Sequence, residues 1–354
     1  PTATKENAGT LAAIADADGT LAIIAMDQRN TLRRMFTAVG VEATIDDLRQ
    51  AKIDVAQHLT PHATGILLDP DFGVPAVRDS GALATGCGLL VAAEPSDRGT
   101  FNGEPRTHRI PEQNATWVRD MGGHAVKYLV MMNPARTIGA GEPDLTAETL
   151  QVVRDVVEDC RAVGIPSVIE NLIYALPGSE PMTPQQREDA IVESAALLTE
   201  LNPDLLKLEY PGSAAGCQRL SNVLTVPWAV LSAGVEYDTF TDVIRISCDD
   251  GGASGFIAGR SVWKESIGLV GEERQTFLRE IAVPRLTALR EAIAPDRPDA
   301  GLVRVACSGS FAMLFYPHAI ALMQSAPRLS IHVEAAPQAR VLEGVLDGRF
   351  DLGV

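Results

Sequence analysis

The segment DLLKLEYP (204–211) decides how the chain is read. It is almost continuously apolar, yet a lysine and a glutamate sit inside it. A strand covered on one face alternates apolar and polar residues, whereas a strand buried on both faces reads as a nearly unbroken apolar run. Seven more runs of this kind accompany it: LAIIAMDQ (21–28), ATGILLDP (63–70), CGLLVAAE (87–94), AVKYLVMM (125–132), PSVIENLIY (166–174), PWAVLSAG (227–234) and SGFIAGR (254–260). Amphipathic stretches lie between them. TIDDLRQAKIDVAQH (44–58) has Thr44 three residues before Asp47 as a capping signal, TAETLQVVRDVVEDCRA (146–162) is a second helix, and TPQQREDAIVESAALLTEL (183–201) is a third, with Pro184 suited to a first helical turn. Repeated strand–helix units with eight candidate strands predict a closed (β/α)8 barrel over residues 1–294. An open doubly wound sheet is the alternative, but it usually opens on a glycine-rich turn, and here Asp27-Gln28-Arg29 follows the first strand.

Composition narrows the function. The chain has 354 residues, 46% hydrophobic and 21% charged, with a formal net charge of −16. Such a balance repels polyanions, so neither nucleic acid nor an anionic membrane surface is an expected partner. The five cysteines are scattered and form no metal-ligand spacing, which suggests reduced thiols and a cytoplasmic protein. No apolar run approaches a membrane span, and PTATKENAGT at the start is unlike a signal peptide. His58 and His62 are four apart, but Pro61 interrupts a helix between them, so no metal site is expected there. Dinucleotide, P-loop, zincin and hydrolase motifs are also missing.

In a barrel of this kind the chemistry sits where the strands end. The polar residues set into those ends are Asp27, Gln28 and Arg29 on the first strand, Lys127 on the fourth, Glu170 on the fifth, Lys207 and Glu209 on the sixth, and Ser232 on the seventh; Gly259 and Arg260 close the eighth. Burial disfavours an ammonium, so Lys207 between leucines is a candidate neutral amine, and Lys127 would push it further that way. A neutral amine attacks a ketone, and the protonated imine draws electrons from a neighbouring carbon–carbon bond. Glu170, enclosed by apolar neighbours, is expected to have a raised pKa suited to proton shuttling. Asp27 would hold a substrate hydroxyl or orient Lys207. Ser232, Ala233 and Gly234, with Gly251, Gly252, Gly259 and Arg260, suggest an anion cradle. Structural readings stand beside each: Lys207 paired with Glu209, Glu170 paired with either lysine, Asp27 as a helix cap, and the glycines as tight turns.

Six segments carry a family resemblance: AMDQRNTLRRMF (25–36), AVKYLVMMNP (125–134), SVIENLIY (167–174), LLKLEYPG (205–212), PWAVLSAGVEYDTF (227–240) and GGASGFIAGRSVW (251–263). Together, over about residues 8–294, they resemble the class I aldolases of the tagatose-1,6-bisphosphate aldolase group, and within it the sulfofructosephosphate aldolases most. The resemblance implies a TIM barrel that needs no cofactor or metal. It implies that Lys207 is the Schiff-base lysine, Glu170 the acid/base residue with Lys127 beside it, and Asp27 the first-strand aspartate. Ser232, Gly259 and Arg260 would bind the phosphate of the dihydroxyacetone half, with Gly234 beside them from the reading of the SAG segment, and Gln28 and Arg29 would lie near the far anion. The fifth strand carries Glu170-Asn171-Leu172 where the sulfonate-sugar enzymes carry a Glu-Pro pair, so the substrate stays open between sulfofructose 1-phosphate and tagatose or fructose 1,6-bisphosphate. A transaldolase-type transfer by the same lysine and a non-catalytic sugar-phosphate sensor are the alternative functions. A homo-oligomer is expected.

The chain changes character after Ala294. PDRPDAG (295–301) reads as a linker, and 302–354 as a β-α-β-α-β block. VRVACSGSFAMLFYPHAIALMQSAPRLSIHVE and VLEGVLDGRFDLGV resemble the opening of the effector-binding domain of LysR-type regulators, with Ser308 and Ser310 at a helix start. Alone, such a piece would leave an open sheet edge. The block is therefore expected to be a fusion or gene-prediction remnant, not a working sensor.

Overall fold

The structure is a computed structural model, and it describes residues 11–294, 302–307, 330–337, 339–341 and 352–353. The chain divides into two compact units, Pro1–Ile293 and Ala294–Val354. In the first, eight strands form a closed parallel barrel: β1 (Leu21–Met26), β2 (Gly65–Leu68), β3 (Gly88–Ala92), β4 (Ala125–Met132), β5 (Ser167–Ile173), β6 (Leu205–Leu208), β7 (Trp228–Leu231) and β8 (Gly255–Ala258). Each lies inside one of the eight apolar runs. Neighbours in sequence are neighbours in the barrel, and β8 closes on β1.

Side-chain alternation explains why the runs are apolar throughout. One set points inward, including Ile23 and Ala25 on β1, Leu67 on β2, Leu90 and Ala92 on β3, Ala125 on β4, Val168 on β5, Leu205 on β6, Ala229 on β7 and Ile257 on β8; these residues form one cluster. The other set, with Ile24, Leu68, Tyr128, Leu206, Trp228 and Phe256, packs outward in the larger core under the helices. A fully buried aliphatic side chain contributes roughly 1.5–3 kcal/mol, so both layers favour the barrel. Two more residues along each strand, the inward series reaches Asp27, Glu94, Lys127, Glu170, Lys207 and Gly259. An apolar plug thus fills the lower barrel and a charged layer rests on it.

The helices start where the sequence signals them. The side chain of Thr44 accepts from the Asp47 amide at 3.2 Å and the Asp47 carboxylate accepts from the Thr44 amide at 2.8 Å, capping Ile45–Leu59. Thr183 and Gln186 form the same reciprocal cap on Pro184–Thr199, with Pro184 in the first turn. Each such cap is worth about 1 kcal/mol. The helix before Pro61 ends at Leu59, a short 3-10 turn covers Thr60–His62, and His58 bonds Gln275. No group of metal-binding side chains is found among the described residues. No helix among them is long and apolar enough to cross a membrane. The β3–β4 connection holds a two-stranded hairpin, Thr100–Phe101 with Glu104–Pro105, that the apolar pattern does not announce.

In the second unit β9 (Leu302–Cys307), β10 (Ser330–Ala335) and β11 (Leu352–Gly353) form a parallel sheet in the order β10-β9-β11. The three expected strands are there. Of the expected helices, only residues 339–341 are described, and these are helical; Ser308 and Ser310 lie outside the described residues.

The barrel seam depends on two glycines. A Cβ on Gly255 would lie 2.0 Å from the Leu21 carbonyl oxygen, and one on Gly259 would lie 1.9 Å from that of Ala25. Gly255 also has φ +135°, which side chains rarely tolerate. Gly255→Ala is expected to lower stability by about 3 kcal/mol or more in urea unfolding. Gly268→Ala, whose Cβ would meet nothing closer than 3.5 Å, should cost less than about 1 kcal/mol. Equal effects would show that the seam is not tightly closed.

Candidate active site

The charged layer centres on Lys127. Its ammonium is 2.9 Å from Asp27 Oδ2, 2.7 Å from Glu94 Oε1 and 2.9 Å from Glu170 Oε2. The other oxygen of Glu170, Oε1, lies 2.9 Å from Lys207 Nζ. Strand register makes that contact, since Glu170 and Lys207 are direct partners across β5 and β6. Glu94 is fixed at both ends, because its Oε2 accepts from the Leu129 amide at 3.2 Å. Two lysines and three carboxylates thus form one buried network, in which each charge has partners in place of water.

The network sets ionisation. Burial pushes the Asp27 carboxyl up, but Lys127 first and Lys207 second outweigh it and hold it well below the usual carboxylate range. The same two lysines overcome burial at Glu170 and lower its pKa. This corrects the raised value expected from the sequence, which registered the apolar neighbours but not two ammonium groups at 2.9 Å. For Lys127, burial opposes the charge while Asp27, Glu170 and Glu94 favour it, and its pKa is raised. Lys127 is therefore a compensated cation, paired with Glu170 as the structural reading of the sequence allowed, and its charge towards Lys207 is offset by three carboxylates. Glu209 does not pair with Lys207 either. It pairs with Arg187 and accepts from the Ile173 amide at 2.8 Å, and burial leaves its pKa raised. Asp27 serves Lys127, and the helix after it, Asn30–Ala38, has no side-chain cap.

These groups open into a cavity of about 600 Å³. Its lining includes Asp27, Gln28, Arg29, Lys127, Glu170, Lys207, Ser232, Ala233, Gly259 and Arg260, so the structure brings together nearly all the residues singled out in the sequence. Gly234 stands just behind: a Cβ there would come within 3.0 Å of the Arg260 guanidinium carbon. Gly251 and Gly252 do not line the cavity, and the Gly251 carbonyl instead accepts from the Trp228 indole at 2.9 Å. The side-chain amide oxygen of Gln28, Oε1, is buried with no hydrogen-bond partner. Arg29 is engaged by Asp71 at 3.1 Å, by the Glu94 carbonyl at 2.9 Å and by Ser96.

Two features escaped the sequence reading. Glu94 ends the third apolar run, and the period of two from Ala92 was the signal for it. Lys52 is the other: wholly buried, it pairs with Asp69 at 2.6 Å and donates to the carbonyls of Met26 and Gln28, on either side of Asp27. Its signal was a lysine within the apolar stripe of Leu48, Ala51 and Val55.

Comparisons with known proteins give the family and the fold. The family model described as DeoC/LacD family aldolase matches residues 21–265, and that of the LysR substrate binding domain matches 296–354. Tagatose 1,6-diphosphate aldolase of Staphylococcus epidermidis is 26% identical over 305 residues, covering 79% of this chain and 91% of its own. Tagatose 1,6-diphosphate aldolase 2 of Streptococcus pyogenes is 28% identical over 293 residues, covering 74% and 86%. Among solved structures, a Schiff base forming fructose-1,6-bisphosphate aldolase aligns over 81% of this chain and all of its own with a TM-score of 0.57 at 16% identity, a likeness of fold.

Removing the central cation should leave Asp27 and Glu94 without their ammonium partner and Glu170 with one of its two. Lys127→Met is expected to cost about 3–5 kcal/mol at neutral pH in urea unfolding. The sign follows from linkage. Asp27 and Glu170 are held below their unfolded values, so in the wild type they add stability above the ordinary carboxylate range and lose it as pH falls towards their folded values. Without Lys127 that contribution shrinks, so the gap between the proteins should narrow on acidification. A gap that stays constant down to pH about 4 would contradict the assignment.

Proposed function

We propose, from the premise that the chain belongs to the DeoC/LacD family of aldolases, that it is a class I aldolase working through a Schiff base on Lys207. The observation that carries the reading is the Lys207–Glu170 contact at 2.9 Å on the floor of the cavity. An amine that must attack a ketone has to give up a proton, and Glu170 is beside it as an ionised base. Lys207 Nζ attacks C2 of a ketose 1-phosphate and the oxygen takes up a proton, giving a carbinolamine. Glu170 returns a proton to that hydroxyl, water leaves, and a protonated imine remains. Glu170, ionised again by that step, takes the proton of the C4 hydroxyl, the C3–C4 bond breaks, and the same proton later serves C3. The electron pair of that bond runs into the imine to give an enamine, and the aldehyde departs. Protonation at C3 and hydrolysis release dihydroxyacetone phosphate and restore the amine.

The remaining residues have positional roles in this scheme. Lys127 keeps Glu170 and Asp27 ionised and fixed, and Asp27 holds a substrate hydroxyl. Ser232, Gly234, Gly259 and Arg260 receive the phosphate on C1, while Gln28 and Arg29 wall the end that takes the second anion at C6. Sulfofructose 1-phosphate and tagatose or fructose 1,6-bisphosphate all fit that description. The reading carries with it a cytoplasmic homo-oligomer that needs no cofactor.

Borohydride reduction in the presence of dihydroxyacetone phosphate should leave one adduct, on the peptide containing Lys207, and Lys207→Met should abolish both adduct and turnover. An adduct on another lysine, or turnover retained in that variant, would contradict the proposal. EDTA should leave the rate unchanged. Product analysis with and without an acceptor aldehyde reads whether the carbonyl fragment is released or transferred.

A further inference from the structure

Lys52 and Asp69 are wholly buried, and the proposed reaction uses neither. An ammonium has three N–H donors, and Lys52 commits all of them. They go to Asp69 Oδ1 at 2.6 Å, to the Met26 carbonyl at 2.5 Å and to the Gln28 carbonyl at 3.0 Å. Asp69 is held in turn. Its Oδ2 accepts from the amides of Phe72 at 2.9 Å and Gly73 at 3.3 Å, where the helix Gly73–Ser80 starts. The surroundings are tight: a Cβ on Gly73 would lie 2.7 Å from Asp69 Oδ1 and 3.3 Å from Lys52 Cδ.

The two carbonyls flank Asp27 at the point where the sheet stops supporting it. β1 pairs with β8 as far as Ile24↔Ala258 and with β2 as far as Met26↔Leu68, so Asp27 stands one residue beyond the last ladder position. Asp69, the residue after β2, and Lys52 take over there with side chains, fixing the peptides at 26–27 and 28–29. Without the ammonium both carbonyls would lose a buried partner, and this stretch would reorganise to recover one. Asp27 itself lines the cavity and spends Oδ2 on Lys127 at 2.9 Å. No described hydrogen bond uses its Oδ1, the oxygen available to a substrate hydroxyl. Against the burial that pushes the Asp27 carboxyl up, Lys52 also adds its charge behind those of Lys127 and Lys207.

We propose that Lys52 is a positioning residue for carbon–carbon cleavage: with Asp69 it fixes the Asp27 backbone so that the carboxylate meets a hydroxyl of the ketose. The inference rests on the aldolase reading. No described bond joins Lys52 to Lys207 or Glu170, which carry the imine steps, so capture of the ketone and cleavage should separate when Lys52 is removed. Misplacing a reacting or orienting group by about an ångström can cost about a hundredfold in rate.

Lys52→Met combined with Asp69→Asn removes both charges, while the amide keeps an acceptor for Phe72 and Gly73. Borohydride trapping of dihydroxyacetone phosphate on Lys207 should stay within about twofold of wild type in this variant. Cleavage is read with whichever of tagatose 1,6-bisphosphate, fructose 1,6-bisphosphate and sulfofructose 1-phosphate the wild type splits fastest. Its kcat should fall about thirtyfold or more, with KM within about threefold. In an Asp27→Asn background the same two substitutions should cost less than about threefold, because the carboxylate they misplace is already gone. Cleavage within about threefold of wild type, trapping and cleavage lost in parallel, or an undiminished effect in the Asp27→Asn background would overturn the proposal. Circular dichroism checks folding. Asp69→Asn alone, which keeps the ammonium but loosens it, should show the same separation at smaller size; if neither variant folds, the pair serves stability and the proposal falls. Wild-type protein that neither traps dihydroxyacetone phosphate nor splits any of the three ketoses would instead sink the aldolase reading, an outcome distinct from all of these.

Discussion

A single buried ammonium organises the upper half of this barrel. Lys127 reaches side chains from the ends of β1, β3 and β5, and through Glu170 it is coupled to Lys207 on β6. Desolvating so many charges is costly, and such an arrangement persists only where opposite charges replace the lost water on each. The consequence for chemistry is direct. Carboxylates that burial alone would protonate remain ionised, so a base stands beside the amine without help from solvent.

The fold was legible because the strands are short and buried on both faces. Each of the eight apolar runs contains one strand, and their spacing by helical segments left few topologies. Legibility ended where structure depends on contacts between distant segments. Both strands of the hairpin at Thr100–Pro105 are two residues long, too short for any period to show. Lys52 looked like one more charge on a helix, and only the fold reveals that it is buried against Asp69 and braces the backbone around Asp27.

The site was legible in its membership but less so in its electrostatics. A period of two carries each inward series from the apolar plug to the charged layer, which is why Asp27, Lys127, Glu170 and Lys207 could be picked out. The sign of the Glu170 shift could not. It depends on two lysines from neighbouring strands contacting opposite oxygens of one carboxylate, a fact of register and not of local composition. Arg29 illustrates the same limit: its position in the DQR segment is plain, but its engagement by Asp71 and Ser96 belongs to the assembled loops.

The account turns on whether the amine on β6 captures a ketone carbon. A crystal structure of the protein soaked with dihydroxyacetone phosphate tests this without reductant or mutation. The account predicts continuous density between Lys207 Nζ and C2 of the ligand, with Glu170 adjacent and the phosphate against Ser232 and Arg260. A ligand seated in the cavity with Lys207 still separate from C2, or joined to a different side chain, would contradict it.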